Sequence, residues 1–156
     1  MRVHFKVDDL SDPRIHSFLK EHMRDMHAVS PPQSIHALDI NDLRDSSVTF
    51  WSAWFSEQLI ACGALKRLNA THAEIKSMRV SSQHRGNGIA SKLLRHILET
   101  ANKDGYDRLS LETGSMVFFD PARRLYEKFG FEYCEPFANY KSDPNSVFMS
   151  LYLKKE

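Results

Sequence analysis

Cysteine is scarce in this sequence. Cys62 and Cys134 are far apart, and neither belongs to a CxxC pair. That excludes a disulfide framework, and each reads as a structural thiol. No charge of one sign predominates: 21 Lys and Arg stand against 20 Asp and Glu, for a net +1. Such a balance argues against the broad basic surface that nucleic acid requires. No apolar run approaches the roughly 18 residues of a membrane span. The leading residues Met1 to Lys6 carry no apolar stretch of the kind a secretion signal needs. A soluble, cytoplasmic chain is expected, with no membrane or nucleic-acid partner. Eight histidines are present, yet there is no HExxH motif and no Cys/His cluster. His22 and His27 are five apart, off the i, i+4 spacing that shares a helical face, so no metal is expected. A GxSxG nucleophile elbow is missing too, which leaves a serine hydrolase unsupported.

What remains is an ordinary composition, 42% hydrophobic and 26% charged over 156 residues. It fits a single domain, 1–156, able to bury its own core. Val3 to Val7 alternates as an edge strand. Asp12-Pro13 predicts a helix start, a capping carboxylate followed by a residue that needs no N–H. The recurrence of Ile15, Phe18, Leu19, His22, Met23 and Met26 predicts an amphipathic helix, ended by Ser30-Pro31-Pro32. A short helical piece is expected over Ile40 to Leu43. Val48 to Phe55 and Leu59 to Leu68 read as strands joined by a hairpin turn at Ser56-Glu57. His72 to Val80 reads as a third strand whose alternation is imperfect, since Ser77 and Arg79 share a face with Ile75; a bulge or a functional face would explain it. Ile89, Leu93, Ile97 and Ala101 form a helical stripe closed by Gly105. Arg108 to Thr113 is a strand. Asp120-Pro121 repeats the capping signal before a helix with Ala122, Leu125, Tyr126 and Phe129, closed by Gly130. Two late strands follow, from Phe131 and from Val147 to Leu153. The order β-α-β-β-β-α-β-α-β-β implies an α/β (α+β) sandwich on a mixed sheet.

The chemistry is concentrated where the third strand turns into a helix, at Gln83-His84-Arg85-Gly86-Asn87-Gly88. A helix start offers free N–H groups and the positive end of the helix dipole. Gly86 and Gly88 let backbone approach a ligand, so the turn suits a phosphate. His84 and Arg85 add charge. A P-loop is excluded, because GxxxxGK followed by Ser or Thr is absent. A dinucleotide loop is incomplete, with Ser91 in the third glycine's place, although Asp107 falls about 20 residues on, where such a fold puts a ribose ligand. A nucleotide-dependent oxidoreductase therefore stays open as an alternative.

The same hexapeptide matches the (Gln/Arg)xxGx(Gly/Ala) signature, and the chain resembles the GNAT (GCN5-related) N-acetyltransferase family. Glu74 to Val80 is similar to the strand before that loop, and Ala122 to Phe131 is similar to the later AxxLYxxxGF element. The tail, with Pro136-Phe137, Tyr140, Asp143 to Ser146 and Phe148-Met149, resembles a little-characterised bacterial subset. The resemblance implies the GNAT fold, a mixed, mostly antiparallel twisted sheet flanked by helices. It implies acetyl-CoA as cosubstrate and an amine as acceptor, small molecule or peptide. The amides from His84 to Ala90, Arg85, Gly86, Asn87, Gly88 and Ile89 among them, would wrap the pyrophosphate beside Gln83. Met78, Arg79 and Val80 would border the pantetheine, which bonds the backbone of Met78 and Val80 as an added strand does. Tyr126 matches the acid that protonates the leaving thiolate, with a core aromatic as the plainer alternative. Many members carry Asn where this chain has Phe119, so any contact made by that Asn is not carried over. A homodimer is common in the family and stays open, as does a coenzyme-binding regulator that lacks catalysis.

Direct attack on the thioester needs a neutral amine and hence a base. Glu74 is the first candidate, against a solvated strand charge. Glu112 is the second, against a partner for a nearby Arg. His27 and His36 flank the loop expected to border the acceptor. Trp51, Trp54, Phe118, Phe119, Phe137 and Tyr140 serve an acceptor pocket or the core equally well.

Overall fold

The structure is a computed structural model and describes residues 2–36 and 39–153. The outermost ends of the 1–156 span, Met1 and 154–156, lie outside the described residues. Turn chemistry starts the sheet. Strand β2 (Val48–Phe55) reverses into β3 (Gln58–Arg67) through Ser56 and Glu57, whose φ angles are 46° and 65°. Positive φ at both central residues is what a tight hairpin needs to match strand twist. Strand β1 (His4–Val7) lines the outer edge of β2, and β4 (His72–Val80) runs antiparallel to β3. Three further strands, β5 (Arg108–Gly114), β6 (Glu132–Cys134) and β7 (Ser146–Tyr152), complete a seven-stranded sheet of order β1-β2-β3-β4-β5-β7-β6. Among the described residues, only the β4–β5 pair is parallel. The sheet is thus mixed and mostly antiparallel, as the family resemblance implied.

Helices cover both faces. Helix α1 (Pro13–Val29) begins as expected: Asp12 accepts from the Arg14 N–H at 2.8 Å, and Pro13 opens the first turn. Its Ile15 and Leu19, with Leu43 of the short α2 (Ile40–Leu43), pack on Phe50, Cys62 and Ala64 to form one apolar cluster. Helix α3 (Ile89–Lys103) buries Ile89, Leu93, Leu94, Ile97 and Ala101 against the other face. It closes with the Tyr106 N–H donating to Ala101 O at 3.1 Å, past Gly105. Among the described residues, no helix is long and apolar enough to cross a membrane. Cys62 is buried, and burial pushes its thiol up to about 12.

Helix α4 (Asp120–Lys128) corrects one expectation. Asp120 does not cap it. Phe119 occupies the N-cap position without a side-chain bond, and Asp120 lies inside the first turn, paired with Arg123. The preceding single turn (Val117–Phe119) shifts the helix start by one residue, so the carboxylate pairs along the helix rather than with its N–H groups.

The imperfect alternation of β4 is a bulge. Cys62 opposes Arg79 and Ala64 opposes Lys76, so Gly63 alone stands against Ser77 and Met78. Ser77 takes up the extra residue with φ at 57°. The side-chain phase therefore flips within the strand. Glu74, Lys76 and Arg79 face the α1 side, while Ile75, Met78 and Val80 face the α3 side. Arg79 does not share a face with Ile75.

Gly114 ends β5 beneath the ring of Phe119. A Cβ there would overlap three ring atoms of Phe119, itself buried. Gly114→Ala is expected to lower stability by about 1–3 kcal/mol, the usual cost of overpacking. Urea unfolding checks this: the midpoint falls while the slope stays that of the parent protein.

Candidate functional site

Strands β4 and β5 pair only from His72 to Ile75, against Arg108 to Leu111. Beyond Ile75 the two strands part. The end of β4, from Met78 to Val80, then faces α4 across an open cleft of about 510 Å3. Met78, Arg79 and Val80 form its floor, and Phe119, Ala122, Leu125 and Tyr126 form the opposite wall. The start of α3 closes one end. The Ser81 N–H donates back to Ile60 O on β3 at 2.8 Å. By the two-residue alternation of a strand, the main-chain groups of Val80 and Met78 point the other way, into the gap.

The loop between β4 and α3 is a helix-start cradle. Gly86 and Gly88 have φ of 84° and 73°, the left-handed region that side chains disfavour. A Cβ on either would meet nothing within 4 Å, so both backbones are open to the cleft. Gly88 is the N-cap of α3 and offers no side-chain cap, so the N–H groups of Ile89, Ala90 and Ser91 have no acceptor from the helix. Among the described residues, nothing accepts from the N–H groups of Arg85, Gly86, Asn87 or Gly88. The N–H of His84 differs. It donates to Ser81 O at 2.9 Å, so the run of free amides begins one residue later than expected. The His84 imidazole lines the cleft, with its buried Nδ1 unpartnered. Gln83 and Asn87 are exposed and lie outside the cleft wall, Asn87 bracing His84 O at 3.2 Å.

A smaller cavity of about 110 Å3 continues inward from the cleft, with Tyr126 common to both. Glu74, Lys76 and Glu112 line it. Lys76 Nζ donates to Glu74 Oε2 at 3.1 Å and to the Tyr140 hydroxyl at 2.8 Å, and that hydroxyl donates to the same Oε2 at 2.5 Å. The Glu74 side chain is only 4% exposed, so it is no solvated strand charge. Burial raises Glu112 to about 7. Burial also pushes the Tyr126 phenol above its ordinary range, and its hydroxyl has no bonded partner among the described residues. It stays protonated at neutral pH. His22 of α1 reaches both cavities, held at about 4 by burial and then by the Arg79 guanidinium. Arg79 ties α1 to the strand through Glu21 (3.2 Å) and Asp25 (2.7 Å).

The β6–β7 loop packs behind residues of the inner cavity. Its Tyr140 ring meets His36 edge-on at 4.9 Å, and Asp143 accepts from the Ser34 hydroxyl at 2.6 Å. Of the aromatic residues expected at an acceptor pocket, Phe119 lines both cavities and Phe118 the outer one. Trp51 is buried in the core. Phe137 packs on Tyr140 and Phe148 behind the wall. His27 is exposed, whereas His36 lines the inner cavity. No motif or spacing marks Lys76, and His22 enters only through its helix stripe and its spacing from His27. Among the described residues, no group of three or more His, Cys, Asp or Glu could hold a metal ion.

The parallel pairing of β4 with β5 alone leaves no second βαβ unit for a dinucleotide. The sequence model of the Acetyltransferase (GNAT) family matches residues 14–131. The chain is 57% identical over 148 residues to an uncharacterized N-acetyltransferase, YsnE, of Bacillus subtilis, covering 95% of this chain and 98% of that one. It is 49% identical over 148 residues to a second uncharacterized N-acetyltransferase, YedL, of Escherichia coli, covering 95% and 93%. Its fold superposes on a GNAT family acetyltransferase from Elizabethkingia anophelis with acetyl-CoA bound, at a TM-score of 0.65 and 18% identity, covering 97% and 98%. Fold, loop and near-full-length relatives agree: this chain belongs to the GNAT family of N-acetyltransferases.

Proposed function

We propose that the chain moves the acetyl group of acetyl-CoA to an amine by direct attack, with no covalent enzyme intermediate. The observation that carries this reading is the parting of β4 from β5 after Ile75, which opens a strand edge between the amide cradle and Tyr126. The pyrophosphate takes the free amides from Arg85 to Ala90, with Arg85 adding charge. The pantetheine runs along Met78 and Val80 as an added strand. That directs the thioester toward the junction of the two cavities. The amine nitrogen bonds to the acetyl carbon, the C–S bond breaks, the thiolate takes the Tyr126 proton, and the proton left on the new amide nitrogen passes through solvent to restore the Tyr126 phenol. The ammonium proton has already passed to a carboxylate.

Two carboxylates line the inner cavity, and their surroundings separate them. Glu74 is engaged by Lys76 and Tyr140 through one oxygen, an arrangement that holds it rather than frees it. Glu112, raised to about 7, has the affinity that suits a base at neutral pH. We assign it the proton and give Glu74 the task of fixing Lys76 and Tyr140, reversing the order expected from sequence. Phe119 contributes an apolar wall where an amide side chain is common in the family. Nothing at that position replaces its polar contact.

Two outcomes follow. Tyr126→Phe should lower turnover by about 10²–10⁴, the worth of a positioned acid, with acetyl-CoA affinity little changed. Thiol release and calorimetry read the two, and unchanged turnover would remove Tyr126 from the role. For Glu112, the active form is the carboxylate, present above its pKa of about 7. The rate, kcat/KM, should therefore climb with pH to about 7 and level off above it. Glu112→Gln should erase that limb and Glu74→Gln should keep it. The reverse pattern would return the base to Glu74.

A further inference from the structure

We propose that the acceptor is a small amine with no carboxylate beside its nitrogen, selected by the inner cavity of Glu74, Lys76, Ser77 and Glu112. This rests on the acetyl-transfer reading above and adds what that reading leaves open.

The groups facing the cavity come from five segments. Strand β4 supplies Glu74, Lys76 and Ser77, β5 supplies Glu112, α1 supplies His22, the loop before α2 supplies His36, and α4 supplies Tyr126. Lys76 is the sole Lys or Arg among the described residues of this wall. An acceptor carboxylate would need it, yet its side chain is 8% exposed and its Nζ already serves Glu74 and the Tyr140 hydroxyl. Both imidazoles are held toward the neutral form by burial, His22 further by Arg79 and His36 by Lys76. Arg79, a cation of the outer cleft, has its two terminal nitrogens bound by Glu21 and Asp25, and its Nε is buried.

A carboxylate entering here would lose water and find no free cation, with Glu74 and Glu112 in the same wall. Burying a charge without a partner is strongly unfavourable. A plain ammonium meets the opposite case. Glu112 has no cationic partner among the described salt bridges and attracts it. Ser77 Oγ, buried and without a protein partner, supplies a further acceptor. The same Glu112 then removes the proton. At about 110 Å3 the cavity takes the amine end and a short stretch of carbon, with any larger group left in the outer cleft.

Matched pairs test this: ethylamine with alanine, tyramine with tyrosine, tryptamine with tryptophan, cadaverine with lysine. Each is offered to the full chain at saturating acetyl-CoA, with thiol release as readout. In at least one pair the amine should be acetylated with kcat/KM at least about tenfold above its amino acid, equivalent to about 1.4 kcal/mol. Glu74→Gln frees the Lys76 charge and should move that ratio toward one. Parity in the parent enzyme, or preference for the amino acids, overturns the inference and leaves acetyl transfer standing. Release with no member of any pair, while calorimetry shows acetyl-CoA bound, also overturns it. Absence of acetyl-CoA binding overturns the underlying reading instead.

Discussion

The separation of β4 from β5 is the constraint on which the rest of the structure depends. Four residues of parallel pairing, from His72 to Ile75, hold the two halves of the sheet together, and then the pairing stops. A strand edge with unpaired N–H and C=O groups is costly to bury and must find another partner. Here α4 stands off across the gap, leaving room for a ligand. The bulge at Ser77 serves the same gap. It flips the side-chain phase, so Arg79 anchors α1 on one face while Met78 and Val80 line the cleft on the other. One irregular residue lets a single strand hold a helix and line a cleft.

The inner cavity works by selective neutralisation. Glu74, Lys76 and Tyr140 form a closed set in which one carboxylate oxygen receives both donors. The set carries no net charge, so it can be buried at modest cost. Two histidines are kept uncharged by the same low-dielectric surroundings. Burial raises the Glu112 carboxyl to about 7. The contacts that hold this arrangement come from late in the sequence. Tyr140 meets Glu74 across 66 residues of sequence, and Asp143 meets Ser34 across 109.

Much of this was legible in the sequence because it is local. The Ser56-Glu57 turn, the Asp12-Pro13 helix start and the α3 stripe each depend on residues a few positions apart. The glycine loop was legible for the same reason: its φ angles and its helix start are properties of one hexapeptide. Asp120 misled, because a carboxylate before Pro also suits the first turn of a helix, and only the preceding Val117–Phe119 turn decides between them. The phase of Arg79 was undecidable, since a bulge is fixed by the partner strand at Gly63. The hold on Glu74 lay further out of reach. It depends on Tyr140, which no spacing rule links to β4.

The amide cradle can be put to one direct measurement. Crystals soaked with coenzyme A should show the pyrophosphate bonded to N–H groups between Arg85 and Ala90, and the pantetheine lying along Met78 and Val80. A coenzyme bound elsewhere, with those nitrogens untouched, would contradict the account at its root.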